Sequence, residues 1–253
     1  MQLYQNFLIV LRFVGTNYHG WQIQDNAISI QEVFQNALFK VIKTETDIKG
    51  CSRTDSGVHA NSFCVSAKIN INITEKGLML SINRFLPNDI RVIKCIKVDD
   101  NFHARYSCIA KEYIYLIYND LVLDPFMYGR CLHFWYYLDI DFMNNLMQCL
   151  VGMHDFPSFF FFFNRVKENM TRHVYYFEVS KRDKIVTFKI KADGFLYNMV
   201  RIMVGTILKA NYKKMSKEDI LNILKSKNRK FAGDTVPSCG LYLNKVFYDG
   251  FTL

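Results

Sequence analysis

Proline is scarce in this chain of 253 residues, occurring only at 87, 125, 157 and 237, so no proline-rich linker divides it. C-x-x-C pairs are absent. The seven cysteines, Cys51, Cys64, Cys95, Cys108, Cys131, Cys149 and Cys239, are scattered and odd in number. That excludes a disulfide framework and reads as reduced thiols in a cytoplasmic protein, several of them core filler. The six histidines do not join them at zinc-like spacing, so no metal is expected. Neither G-x-x-x-x-G-K-[ST] nor H-E-x-x-H occurs, which leaves no nucleotide or zinc-protease motif. No apolar run approaches the roughly 20 residues that a bilayer needs. The longest, "FLYNMVRIMVGTIL" at 195 to 208, is interrupted by Asn198 and Arg201, and the N-terminal run by Arg12. No membrane partner is expected, and the N-terminus reads as a strand rather than a signal peptide. Acidic residues are the scarcer charge, 23 against 32 basic, for a net charge of +9. A polyanionic partner is one reading, since phosphate contacts and counterion release favour a basic surface; a soluble protein with a basic bias fits the composition as well.

What the chain has instead is apolar mass. Half of its residues are hydrophobic and 15% aromatic, enough to bury a large core. Residues 6 to 14 read as a strand ending at Gly15. After the loop "GTNYHGWQ", Ser29 and Glu32 form a capping-box pattern, with Ile30, Val33, Phe34, Ala37, Leu38 and Val41 at helical spacing. Strands are expected at "SFCVSAKINI" and "RVIKCIKV", with a helix at 74 to 85 between them. A long strand is expected at 105 to 118, placing Tyr113 and Tyr115 on one face and Ile114 and Leu116 on the other. The second half predicts a helix at 139 to 151, strands at 172 to 180 and 184 to 192, helices at 195 to 210 and 216 to 227, and a last strand at 240 to 248. Ser216 and Asp219 mark a cap for the last helix. The fold class is α+β, with an N-terminal half at 1–104 and a C-terminal half at 105–253 sharing a mixed central sheet flanked by helices.

One stretch, "GCSRTDSGVHA" at 50 to 60, sets Arg53, Asp55 and His59 among glycines and serines. A carboxylate in so unencumbered a loop can be reached by a substrate, although an ordinary turn aspartate fits the single residue as well. Arg201 lies in a helix lined by Leu196, Met199, Val200, Ile202, Met203, Val204 and Ile207. If it faces inward it needs a carboxylate partner, and Asp55 is a candidate; otherwise it snorkels to water. An arginine beside an aspartate keeps the carboxylate ionised, which suits a base or nucleophile. Tyr113 offers a ring that can stack on a base, or an amphipathic core tyrosine.

"YHGWQIQ" with its capped helix, "GCSRTDSGVHA", "FHARYSCIAKEYIYLIY", "DGFLYNMVRIMVGTIL" and "GLYLNKVFY" together resemble, in order and over nearly the whole chain, the motifs of the tRNA pseudouridine synthase A family. The resemblance implies the pseudouridine synthase fold of two ferredoxin-like (RRM-like) halves around a central sheet, a homodimer, a tRNA partner and no cofactor. It implies isomerisation of uridine to pseudouridine in the anticodon stem-loop, at positions 38 to 40. Carried over by motif, Asp55 is the catalytic aspartate and Arg201 the arginine that pairs with it. Tyr113 is the stacking tyrosine, Leu241 the apolar pocket residue, and Arg53 the arginine that helps hold the flipped nucleotide. Attack on ribose C1′ and attack on uracil C6 both stay open.

Cys51, Ser52 and Ser56 replace the family's more usual alanines or glycines with residues still small. The run Phe159 to Phe163 departs further, and some of its rings should be exposed or should meet another chain, because neither a strand nor a helix can turn all five inward. Two other classes compete. A non-catalytic RNA-binding module would bind with strong salt sensitivity and an inert Asp55. An aspartate-nucleophile phosphohydrolase would want several carboxylates around magnesium, where the motif holds only Asp55.

Overall fold

A computed structural model describes residues 4–161 and 169–250. The chain forms β1 (Gln5–Phe13), α1 (Ile30–Ile42), β2 (Ile48–Gly50), β3 (His59–Ile69), α2 (Glu75–Asn83) and β4 (Ile90–Lys97). It continues with β5 (Cys108–Tyr118), β6 (Leu132–His133), α3 (Ile140–Met147), β7 (Gly152–Asp155), β8 (Thr171–Arg182) and β9 (Ile185–Ala192). α4 (Met199–Lys213), α5 (Lys217–Ser226) and β10 (Leu241–Tyr248) complete it. The fold is mixed α+β, as the pattern of the sequence indicates. The chain divides after Ile109 and again after Leu241, so the last strand counts with the N-terminal elements. Among the described residues, no helix is long and apolar enough to cross a membrane.

In the first unit β1 is the central strand, antiparallel to β4 on one side and to β3 on the other. Phe7, Leu8, Ile9 and Leu11 are all fully buried, so both faces of β1 are covered, which explains its unbroken apolar run. β2 pairs with the far half of β3, and β10 runs parallel to its start. α1 begins where the capping pattern predicts: Ser29 Oγ accepts the Glu32 N–H at 3.2 Å. Its apolar face, Ile30, Phe34, Ala37, Leu38 and Ile42, is buried.

In the second unit β5, β9 and β8 form an antiparallel sheet with β7 at its edge, and β6 runs parallel to β5. β8 and β9 join through Asp183 and Lys184, with Asp183 at φ +54°, the left-handed turn position an aspartate tolerates. α4 is buried on nearly every side. Gly205 is what lets it lie so deep: a Cβ there would stand 1.9 Å from the Asp234 carbonyl oxygen.

Two expectations shift, and a third, that the phenylalanine run leaves some rings exposed, holds at Phe161. β5 starts at Cys108 rather than 105, because the Ser107 N–H turns back to the His103 carbonyl at 2.9 Å. α4 starts at Met199 rather than 195, because Asn198 is left-handed at φ +60° and no helix runs through it. In the phenylalanine run, Phe159 and Phe160 are buried and Phe161 is exposed. A 3₁₀ turn at Pro157–Phe159, a geometry outside the strand-or-helix choice, aims both Phe156 and Phe159 into the core, their rings 5.9 Å apart. Phe162 and Phe163 lie outside the described residues.

Candidate active site

The aspartate loop spans residues 51 to 58, between β2 and β3, in the first unit. Its entry is pinned by Cys51, whose N–H donates to the Cys64 carbonyl at 2.8 Å and whose Sγ accepts the Cys64 N–H at 3.4 Å. Burial, then the Cys51 thiol beside it, pushes the Cys64 thiol well above its ordinary pKa, which makes Cys64 inert structure. None of the seven cysteines is in a disulfide. The tip is a tight turn: the Val58 N–H donates to the Asp55 carbonyl at 3.2 Å, with Gly57 at φ +78°. Asp55 is half-buried and Arg53 exposed.

A second loop, residues 15 to 21, serves as the mould for this turn. The Trp21 N–H donates to the Thr54 carbonyl at 3.2 Å, and the Gly57 N–H donates to the Tyr18 carbonyl at 3.2 Å. Main chain meets main chain, so Asp55 is held by backbone on both sides while its own side chain takes no part in these bonds. Gly15 and Gly20 permit the approach. A Cβ on Gly15 would stand 2.0 Å from the Val58 carbonyl oxygen, and Gly20 adopts φ +82°. The mould is itself rigid. Trp21 stacks on Phe63 with centroids 4.2 Å apart, and the Tyr18 hydroxyl donates to Asp89 at 2.8 Å. Burial, then that acidic partner, drives the Tyr18 phenol well above its ordinary pKa, so it stays a donor. At the exit of the aspartate loop, the Nδ1 of fully buried His59 accepts the Gly15 N–H at 2.9 Å.

The other three residues marked by the sequence lie in the second unit. Tyr113, on β5, is buried, with its ring edge-on to Phe195 at 5.1 Å. It shares its buried face with Tyr115, as the alternation predicts, while Ile114 and Leu116 are less covered. Leu241, buried, is the first residue of β10. Arg201 lies on the first turn of α4, where Nε donates to the Val236 carbonyl and Nη1 to Asn198 Oδ1, each at 2.7 Å. Its charge reaches two neighbours: it opposes the burial that raises the Tyr115 phenol and the Cys239 thiol. The Tyr115 hydroxyl in turn donates to the Pro237 carbonyl at 2.8 Å.

Sequence reasoning singled out Asp55 and Arg201 as candidates but not most of what holds them. Gly15, Gly20 and Trp21 around the aspartate loop, and Asn198 and Val236 around the guanidinium, are legible only as contacts, whereas His59 stood in the motif without a role. The two closely spaced glycines of "GTNYHGWQ" were the available signal that backbone is approached there.

Residues 9–107 and 146–249 match a family model described as tRNA pseudouridine synthase. A protein named tRNA pseudouridine synthase A from Thermoanaerobacter sp. (strain X514) is 43% identical over 96% of this chain and all of its own length. Proteins of the same name from Acetivibrio thermocellus, at 38%, and Borrelia duttonii, at 36%, are similar over 96% and 97% of this chain and all of their own lengths. Among solved structures, a chain in the archaeal box H/ACA sRNP Nop10-Cbf5 complex matches at 12% identity. Its TM-score is 0.40, over 90% of this chain and 59% of that one, too distant to bear on the site.

Proposed function

The chain belongs to the tRNA pseudouridine synthase family, and from that premise we propose that Asp55 is the catalytic group of a cofactor-independent isomerase acting on uridine in the anticodon stem-loop, at positions 38 to 40. The reaction moves the ribose C1′ from N1 to C5 of the same uracil: the N1–C1′ bond breaks, a C5–C1′ bond forms, the C5 proton leaves and N1 gains one. Nothing is oxidised and no second substrate enters, so a carboxylate that can share charge with C1′ or the ring and pass a proton is a sufficient reagent. The observation that supports this reading is the backbone mould that fixes the main chain on both sides of the half-buried Asp55, in a loop of mostly small residues. The target must leave its stack, at a cost of a few kcal/mol. By the family's motif, Arg53 holds the flipped nucleotide, Tyr113 meets the uracil, Leu241 lines the pocket and Arg201 supports the charge of Asp55. The net charge of +9 favours a polyanion such as tRNA.

The same reading includes a homodimer in the cytoplasm. Phe126 and Tyr128 are at least four-fifths exposed, 85% and 80%, with Leu121, Val122 and Tyr137 exposed nearby in the chain, an apolar dressing suited to a second copy. Light scattering of the purified protein checks that state: a monomer at micromolar concentration would remove the dimer from the proposal. The catalytic proposal is tested by tritium release from tRNA labelled at C5 of uridine, without metal or nucleotide. Wild type releases tritium and Asp55→Asn does not, while tRNA binding survives; release by the variant would sink the assignment.

A further inference from the structure

We infer that His59 is a positioning residue for the aspartate loop, acting as the terminal acceptor of a closed hydrogen-bond ring; this rests on the assignment of catalysis to Asp55. The ring can be followed atom by atom. The Gly57 N–H donates to the Tyr18 carbonyl at 3.2 Å, the Tyr18 N–H to the Gly15 carbonyl at 3.0 Å, and the Gly15 N–H to His59 Nδ1 at 2.9 Å. From His59 the chain needs only Val58 to return to Gly57. The three bonds therefore tie Gly57, Tyr18, Gly15 and His59 into one circuit that contains half of the Asp55 turn.

The coupling is mechanical: each bond fixes the residue that makes the next one, so losing the last acceptor loosens the segment before it. His59 Nδ1 is the acceptor that the Gly15 N–H uses, and Gly15 is packed hard against the Val58 carbonyl, where a Cβ would stand 2.0 Å from the oxygen. If Nδ1 ceased to accept, the Gly15 N–H would be a buried donor without its bond, and the Gly15–Tyr18 turn would have reason to shift. The displacement would pass through Tyr18 to Gly57, two residues from Asp55.

Two further observations fit a positioning role better than core filling. His59 is fully buried, yet its ring is polar and its Nδ1 is committed as an acceptor, which leaves the neutral ring's proton on Nε2. The ring lies against Tyr242 with centroids 4.5 Å apart, tilted by 30°, and the two residues are also register partners across β3 and β10. Orientation is thus set by a neighbouring strand as well as by the hydrogen bond. A hydrophobic side chain would fill the volume but could not end the ring.

The test separates the acceptor from the volume. In His59→Asn the amide oxygen takes the place of Nδ1, two bonds from Cβ. His59→Phe keeps a ring against Tyr242 with no acceptor, and His59→Gln carries its oxygen one bond too far. Single-turnover tritium release at saturating tRNA, tRNA affinity by filter binding and thermal midpoint are measured for each. His59→Asn should stay within about 3-fold of wild type. His59→Phe and His59→Gln should fall by about 10–100-fold in rate, the scale of a misplaced reacting group, with affinity changed by less than about 3-fold. The inference is overturned if His59→Asn is as slow as His59→Phe, if His59→Phe matches wild type, or if the loss lies in affinity alone. Should His59→Phe fail to fold, the contrast of His59→Asn with His59→Gln decides. Persistent release by Asp55→Asn would instead remove the catalytic assignment, whatever the His59 series does.

Discussion

A Cβ on Gly20 would stand 2.3 Å from the carbonyl oxygen of Thr54, the residue immediately before Asp55. Gly20 also holds φ +82°, so a side chain is opposed by strain as well as by space. Gly20→Ala should cost at least about 1–2 kcal/mol in urea unfolding, the scale of a non-glycine residue forced into this region. Its single-turnover rate should fall further than its tRNA affinity, because the first thing displaced is the aspartate loop. An alanine variant with wild-type rate and stability would mean that the two loops are not in register as described.

Tyr115 is fully buried and its hydroxyl serves one visible purpose, the 2.8 Å bond to the Pro237 carbonyl. Tyr115→Phe should lower stability by about 1 kcal/mol, the usual net value of such a bond, read as a shift in the urea midpoint at unchanged slope. The chain between Val236 and β10 is also held by Arg201, so the variant should remain folded.

Arg201→Lys keeps the charge and loses the fork. A lysine cannot reach both the Val236 carbonyl and Asn198 Oδ1, which the planar guanidinium contacts at 2.7 Å each. The expected result is a single-turnover rate lower by about 10–100-fold with a tRNA affinity close to wild type. A loss confined to affinity would turn the residue into a substrate contact and not a support for the reagent.

At the start of α5, Ser216 and Asp219 cap each other: the Asp219 N–H donates to Ser216 Oγ at 3.2 Å and the Ser216 N–H to Asp219 Oδ2 at 2.7 Å. Ser216→Ala should cost about 1 kcal/mol near neutral pH. The backbone N–H of Ser216, and then its hydroxyl, hold the Asp219 carboxyl below its ordinary pKa. A folded value below the unfolded one contributes stability above the unfolded pKa and loses it as pH falls through the folded one. The stability difference between wild type and Asp219→Asn should therefore be constant around neutrality and shrink on acidification. Urea titrations at several pH values would reveal a difference that grew instead, contradicting the cap.

Where a signal was local, the sequence carried it faithfully. The starts of α1 and α5 follow from Ser29 and Ser216, each three residues before an acid at the head of an apolar period. Tyr113 and Tyr115 share a face because strands alternate. What stayed hidden depended on partners distant in the chain. β2 has only three residues, and nothing in them reveals that they pair with β3. Asn198 reads as one polar letter in an apolar helix, but its left-handed backbone sets where α4 begins. For Arg201 the argument from buried charge considered only carboxylates, whereas two of its bonds go to neutral oxygens. The aspartate itself was visible by motif; the mould was not, since Gly20 and Thr54 meet across 34 residues of chain.

A turn cast against backbone responds to two kinds of genetic change in opposite ways. Exchanging the half-buried Ser52 for another small residue alters no bond in the circuit of Gly15, Tyr18, Gly57 and His59. Adding or removing one residue between Gly50 and His59 alters the circuit at once, because the distance round it is counted in peptide units. The circuit thus constrains the length of the loop more tightly than the identity of a residue such as Ser52.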